Sequence, residues 1–113
     1  MGDRILLQKK LEGILGSREV YYQPPDSIKM RYPAIRYNRK DIDAKYANNK
    51  IYSSMTAYEI VLIDANPDSV FIQKIMELPF CSYDRHYTAE NLNHEVFTLY
   101  YSGGIKYEWK IQT

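Results

Sequence analysis

The sequence is poor in the residues that most often reveal a function. Cys81 is the only cysteine in 113 residues, which excludes an internal disulfide and fits a reducing compartment. No apolar run approaches the roughly 18–20 residues of a membrane span, and the segment that begins Met-Gly-Asp-Arg lacks the long apolar stretch expected of a signal peptide. Fifteen basic and fourteen acidic residues leave a net charge of +1, without the basic excess typical of nucleic-acid binders. The length predicts a single domain, 1–113, with one modest core.

Tyrosine, in contrast, is abundant, with twelve residues of the 113. A tyrosine side chain buries a large ring and keeps one polar end in water, so it suits both β-strands and interfaces. Two interpretations stay open. The tyrosines belong to strand surfaces and a half-buried core, or they form a surface for self-assembly or for a partner.

Two stretches have helical spacing of apolar residues. Asp3–Leu15 carries an apolar stripe that includes Leu7 and Leu11, with Asp3 as a cap and Gly16 just past the end. Residues 69–78 form the second predicted helix. It follows a turn at residues 64–69, in which an Asn, Asp or Ser side chain is expected to cap it.

The strand before that turn, residues 58–63, ends in four consecutive apolar residues, so we expect it to be covered on both sides. Further strands are predicted at 19–23, 34–38, 81–87 and 94–101, with a turn-rich connection at 88–93. These patterns predict an α+β fold with a mixed, mainly antiparallel sheet of about five to six strands and two helices packed on one face.

Two segments stand apart from this scaffold. Residues 39–50 are polar without a sustained period and are predicted to form a long loop, either a mobile hairpin or a loop that orders against a partner. Residues 102–113 begin with a Ser-Gly-Gly hairpin signal and continue with strict alternation of apolar and charged residues, which predicts a C-terminal hairpin arm. The candidate interface residues come from these two segments: Arg39, Lys40, Asp41, Asp43, Lys45, Tyr46, Asn48, Asn49, Lys50, Tyr107 and Trp109.

Four residues could in principle carry chemistry, namely Cys81, Asp84, His86 and His94. Their spacing matches no metal-ligand pattern, and in a regular strand Asp84 and His86 share one face while Cys81 points to the other. Cys81 also lacks the cationic or helix N-terminal surroundings that activate a nucleophile. We therefore interpret Cys81 as a structural thiol and the histidines as strand or loop residues, and we assign no catalytic, cofactor-binding or metal site.

Three parts of the chain together carry a family resemblance. They are residues 16–25 with 30–35, residues 58–69, and residues 78–87 with 91–101. These stretches resemble small structural proteins of long-tailed bacteriophages and prophages, of the tail terminator or tail completion type. The resemblance covers most of the chain, but it consists of strand and turn patterns rather than a catalytic signature.

The resemblance implies a structural role in the virion rather than an enzymatic one. Tail terminators are proteins with a sheet and flanking helices that form a hexameric ring on the tail tube, stop its polymerisation and present a surface for head joining. The implied partners are further copies of the chain, the tail tube protein and a head-completion or stopper protein. No cofactor, no membrane and no specific nucleic acid is expected, apart from DNA that passes through the ring lumen. The implied location is the neck of the virion tail, after assembly in the host cytoplasm. Alternatives are a head-closure or connector protein of the same neck, an unrelated small protein-binding domain, and a small metal-dependent enzyme that uses His86 and His94.

Overall fold

A computed structural model describes residues 3–43 and 55–101. Within them the predicted fold class is confirmed: the fold is α+β, with a five-stranded, mostly antiparallel mixed sheet and two helices. In chain order the elements are α1 (Asp3–Leu15), β1 (Val20–Tyr22), β2 (Ala34–Asp43), β3 (Met55–Asp64), α2 (Phe71–Met76), β4 (Cys81–Ala89) and β5 (Leu92–Tyr101).

The strands lie in the order β1-β2-β3-β5-β4. Only β1 and β2 are parallel, and the other three pairs are antiparallel. Strand β5 therefore lies between β3 and β4, and β4 forms one edge of the sheet. The opposite edge is the short strand β1.

Both helices pack against the same side of the sheet, called here the helix face. Leu7 and Leu11 of α1 are fully buried, as is Ile75 of α2, and all three pack on a cluster that includes Tyr37 of β2. The Tyr37 hydroxyl donates a hydrogen bond to Gln8 Oε1 at 2.6 Å. Gln8 Nε2 in turn donates to the carbonyl oxygen of Val20 at 2.9 Å, so one side chain of α1 joins it to β1 and β2.

The side of the sheet away from the helices, the far face, holds a smaller cluster. It consists of Val61, Ile63 and Val96, against which Met30 from the β1–β2 connection packs. Ile60 and Leu62 point to the helix face at the same time. The prediction that the central strand is buried on both sides is thus confirmed, because β3 contributes to both clusters.

The predicted loop at 39–50 is wrong for its first five residues, because β2 continues through Asp43. Its residues 39–43 pair with the beginning of β3, from Arg39 beside Tyr58 to Asp43 beside Met55. The neighbouring strand supplies backbone hydrogen bonds whatever the side chains are, so a polar sequence can continue a ladder that its own pattern does not predict. Residues 44–54, and with them the rest of the predicted loop, lie outside the described residues. The predicted C-terminal arm at 102–113 also lies outside them.

The β4–β5 hairpin is tighter than predicted. The connection consists of Glu90 and Asn91 alone, with φ angles of 53° and 64°, and Ala89 pairs directly with Leu92. Two consecutive positive φ angles are the signature of a type I′ turn, whose twist suits a two-residue hairpin. Helix α2 is also shorter than predicted. The predicted side-chain cap is wrong, because Val70 occupies the N-cap position and makes no side-chain capping bond. Ser69, one residue earlier, accepts a hydrogen bond at its Oγ from the Phe71 backbone N–H at 3.3 Å.

Candidate functional site

Strand β4 leaves one long edge of the sheet open. It has nine residues, and no strand in the described part of the chain pairs with its outer side. Unpaired backbone N–H and C=O groups in such a row can pair with another strand, and natural proteins usually protect such an edge by a cover, a bulge or charged side chains. Strand β4 has a bulge and charged residues at its middle but no cover in the described part of the chain. The open edge is therefore the first feature of this fold that points to a partner.

Large apolar side chains are exposed beside this edge. Phe80, just before β4, is 65% exposed, while Met76 and Tyr83 are 42% and 41% exposed. These three side chains, together with the outer edge of β4, are called here the β4 surface. Single exposed apolar residues are common, but several of them next to an open strand edge are typical of an interaction surface.

Phe80 adopts an unusual backbone conformation, with a φ angle of +62°. A non-glycine residue in this left-handed region is uncommon and is worth inspecting as a functional position. Its carbonyl oxygen accepts a hydrogen bond from the Tyr100 backbone N–H at 3.1 Å, which holds this turn to the end of β5. The fold thus fixes the backbone of Phe80 while leaving most of its ring in solvent.

A β-bulge at Asp84 decides which side chains of β4 face which way. Tyr83 pairs with Phe97 and Arg85 pairs with Val96, so Asp84 is an extra residue in the ladder. Asp84 turns to the far face, where its Oδ2 accepts a hydrogen bond from Thr98 Oγ1 at 2.7 Å. Arg85 follows it onto that face, because it pairs with Val96 of the far-face cluster.

The bulge overturns the predicted arrangement of the four chemical candidates. Because it reverses the alternation, His86 lies on the helix face with Cys81, whereas Asp84 lies on the far face. His94 is also on the far face, where its ring stacks on Tyr87 with a centroid distance of 4.6 Å. The four candidates are thus divided between the two faces of the sheet. Within the described residues, no group of three or more His, Cys, Asp or Glu side chains could hold a metal ion.

The Cys81 thiol has surroundings unlike those of an activated nucleophile. Burial, together with the nearby charge of Asp84, raises its pKa to about 11. At neutral pH the thiol form therefore predominates, and the thiolate is the form that attacks or binds a metal. This agrees with the interpretation of Cys81 as a structural residue, packed against the edge of the helix-face core.

A polar cluster lies behind the β4 surface on the helix face. Glu95 of β5 is only 5% exposed, and its Oε1 accepts a hydrogen bond from the Tyr83 hydroxyl at 2.7 Å. This bond is the main reason why the pKa of Tyr83 is raised to about 12. His86 Nε2 lies 3.8 Å from Glu95 Oε2 and 3.1 Å from Asn93 Oδ1. Since the amide oxygen of Asn93 can only accept, Nε2 carries the hydrogen in this contact.

The same residues line a wide, open cleft of about 510 Å³ between α2 and β4. Its lining combines apolar side chains with the Glu95 carboxyl group and the His86 ring. Such a combination can accept a partner side chain with an apolar body and a polar tip. The full lining consists of Pro67, Ile72, Met76, Tyr83, His86, Asn93 and Glu95.

The predicted interface residues lie elsewhere. Arg39 and Lys40 are exposed on β2, at the other side of the sheet from β4, and Asp41 and Asp43 belong to the same strand. Lys40 Nζ donates a hydrogen bond to Thr98 Oγ1 at 3.3 Å across the far face. The remaining candidates lie outside the described residues: Lys45, Tyr46, Asn48, Asn49, Lys50, Tyr107 and Trp109.

Sequence reasoning missed Met76, Phe80 and Tyr83 as surface residues. The sequence contained one usable signal, because Phe80 follows Pro79 at the end of a helical pattern and so falls in a turn. The exposure of Tyr83 depends on the position of β4 at the sheet edge. Met76 is the last residue of α2, and its apolar type at helical spacing predicted burial instead. Neither described helix has the length and apolar character needed to span a membrane.

Comparisons with known proteins give no relative from which a role for the β4 surface could be transferred. No protein-family model, no curated protein and no solved structure matches this sequence or fold.

Proposed function

We propose that this protein is a structural virion protein of the phage tail. In this proposal it forms a ring that caps the tail tube, ends tube polymerisation and provides the surface to which the head is joined. The β4 surface is the observation that carries the proposal, because exposed apolar rings beside an open strand edge suit contacts between protein chains. The sequence resemblance to tail terminators supplies the specific role.

A ring requires each copy to present two different surfaces, because the contacts within it are head-to-tail. The β4 surface is one candidate. The second candidate is the exposed Arg39 on β2, a strand that β3 and β5 separate from β4. Lys40 is not part of it, because its amino group donates a hydrogen bond to Thr98 of β5 on the far face.

A head-closure or connector protein of the same virion neck is the alternative with similar surface requirements. An unrelated protein-binding domain is the other, and it would use the cleft between α2 and β4 for a partner side chain. The two neck roles differ in their partner, since a terminator binds the end of the tail tube and a head-closure protein binds the portal side.

The test is imaging of the purified full-length protein by negative stain, alone and mixed with tubes assembled from the tail tube protein. The proposal predicts closed rings of uniform size, free or as caps at one end of the tubes, and tubes that stop growing when capped. Tubes that elongate normally and carry no additional density at their ends would overturn it. Binding to portal complexes instead of tubes would favour the head-closure alternative.

A further inference from the structure

We propose that the cleft between α2 and β4 is a binding site for one lysine side chain of a partner protein. In this inference the ammonium group pairs with the Glu95 carboxylate, and the aliphatic part of the lysine lies along the apolar side chains of the cleft. The inference goes beyond the tail role proposed above, because it names the chemistry that this cleft selects in any protein partner.

Glu95 is the charged group in this cleft that lacks a cation beside it. It is only 5% exposed, and its Oε1 already accepts the hydrogen bond from the Tyr83 hydroxyl. Its Oε2 receives no hydrogen bond from the described part of the chain, and no lysine or arginine there lies within ion-pair distance of it. A nearly buried carboxylate is normally paired with a cation, because burial removes the water that would otherwise stabilise its charge.

His86 does not supply that cation permanently. Its Nε2 lies 3.8 Å from Glu95 Oε2, which is beyond hydrogen-bond distance, and the ring is charged only when it is protonated. The same nitrogen lies 3.1 Å from Asn93 Oδ1 and donates its hydrogen there. Glu95 Oε2 therefore remains available to a donor that enters from the cleft.

Asn93 presents a second acceptor to the cleft. Its Nδ2 donates to the backbone carbonyl oxygens of Asp64 and Ala65 at 3.2 and 3.3 Å. These two bonds fix the amide group, so its oxygen rather than its nitrogen faces His86. An amide oxygen has two lone pairs and His86 uses one of them, which leaves one for a further donor. The polar part of the lining thus offers acceptors, on Glu95 and Asn93, to an entering cation.

An ammonium group fits these acceptors better than a metal ion or a guanidinium group does. A metal ion needs three or four converging ligands, and no group of three His, Cys, Asp or Glu side chains could hold one in the described part of the chain. A guanidinium group pairs best with both oxygens of a carboxylate, whereas one oxygen of Glu95 already accepts from Tyr83. A lysine ammonium is a compact charge with three donors, and it needs only the open oxygen.

The rest of the lining suits the aliphatic part of a lysine. Pro67, Ile72 and Met76 supply apolar side chains beside the polar groups. A lysine commonly lays its methylene groups along such a surface while its ammonium group reaches a polar site. The cleft is wide and open, and two of its residues, Met76 and Tyr83, also belong to the β4 surface. A protein seated on that surface can therefore place a lysine side chain in the cleft.

The test is a titration of the isotope-labelled full-length protein with Nα-acetyl-lysine amide, followed by proton–nitrogen correlation NMR. The matched probe is the neutral analogue in which a hydroxyl group replaces the ammonium group. We expect saturable shifts of the amide signals of the cleft residues with the lysine probe, and binding about tenfold weaker with the neutral probe. The corresponding arginine probe should also bind more weakly than the lysine probe.

Two variants with the same change in net charge locate the site. Glu95→Gln keeps an oxygen that can accept from the Tyr83 hydroxyl but removes the charge, and it should weaken binding of the lysine probe about tenfold. Asp84→Asn is the matched control, because Asp84 faces the other side of the sheet and does not line the cleft. It should leave binding unchanged. The fold of each variant is checked by its circular dichroism and its NMR spectrum.

Met76→Lys tests the same site without a change at Glu95. Met76 is 42% exposed at the end of α2 and lines the cleft, so a lysine should be tolerated there and should compete with the probe for Glu95. Should Glu95→Gln not fold, the pair Met76→Lys and Met76→Leu decides the question. The first should lose binding of the lysine probe and the second should keep it.

Four results would overturn the inference. The cleft signals could show no shift with the lysine probe, the charged and neutral probes could bind equally, the arginine probe could bind more tightly, or Glu95→Gln and Asp84→Asn could weaken binding equally. The titration contains no tail tubes, so its failure would leave the proposed function in place. Lysine binding by a protein that never caps tubes would keep this inference and remove the tail role.

Discussion

Replacement of Tyr83 by phenylalanine tests whether the polar cluster behind β4 stabilises the fold independently of assembly. The substitution keeps the aromatic ring and removes only the hydroxyl, which donates a 2.7 Å hydrogen bond to the nearly buried Glu95. Hydrogen bonds to charged groups contribute about 1.5–3 kcal/mol to stability. The Tyr83 side chain is 41% exposed, so water can partly replace the hydroxyl, and we expect a loss of about 1.5 kcal/mol, at the lower end of that range.

For a domain of this size, such a loss corresponds to a melting temperature lower by about 6 °C. Urea unfolding followed by circular dichroism at pH 7 gives the free energy of unfolding directly, and an unchanged m-value would show that the unfolded state is the same. Tyr100→Phe is the matched control, because the described part of the chain shows no hydrogen bond for the Tyr100 hydroxyl. It should leave the free energy of unfolding within about 0.5 kcal/mol of the original.

The prediction also separates folding from assembly. Because the ring at position 83 is kept, Tyr83→Phe should form the same oligomers as the original protein at temperatures well below its melting point. Equal stability of the Tyr83→Phe and Tyr100→Phe proteins would refute the reasoning. It would mean that a hydrogen bond from water or from His86 stabilises the Glu95 carboxyl group as much as the bond from the Tyr83 hydroxyl does.

Two further predictions concern the core and the far face. Tyr37→Phe should lower the free energy of unfolding by about 1–3 kcal/mol, because it leaves Gln8 Oε1 without its buried donor. Adding Gln8→Leu should then cost less than the sum of the two single changes, as a double-mutant cycle by urea unfolding can show. Burial lowers the pKa of His94 in the folded protein below the ordinary histidine pKa of about 6.5. The neutral ring is therefore favoured by folding, and its contribution to stability is fully present above about pH 6.5. That contribution is lost as the pH falls from there through the pKa of the folded protein. His94→Phe keeps an aromatic ring beside Tyr87 and should therefore lose less stability than the original protein between pH 7.5 and pH 5; an identical loss in both proteins would assign the effect to other groups.

Local patterns in the sequence were sufficient for several elements. The apolar stripe and Gly16 predicted the bounds of α1 as Asp3–Leu15, which the structure confirms. Gly16 has a φ of +78° and its N–H bonds the Glu12 carbonyl oxygen at 2.8 Å, so the helix ends by the expected left-handed residue. The two-sided burial of β3 was also predictable, because an unbroken apolar run has no polar face to present to water.

The elements that the sequence failed to predict depend on the strands that pair with them in the sheet rather than on their own residues. Strand β2 continues into a charged stretch because β3 lies beside it, and the hairpin turn shrinks to Glu90 and Asn91 because β4 and β5 pair up to that point. The candidate site shows the same division. The predicted interface residues, taken from the polar segment 39–50 and the C-terminal arm, lie on β2 or outside the described residues. The exposure of the Tyr83 ring instead follows from the placement of β4 at the edge of the sheet.

The sequence by itself determined the class of the fold, the α1 helix and the strand that forms the centre of the sheet, because these depend on period and composition within a short window. Tertiary structure alone decided the strand order and the bulge at Asp84. The strand order places β5 between two partners and leaves β4 open. The bulge reverses the alternation and so separates Asp84 from His86. Both are consequences of pairing between segments distant in the chain, and a local pattern carries no information about which partner a strand will find.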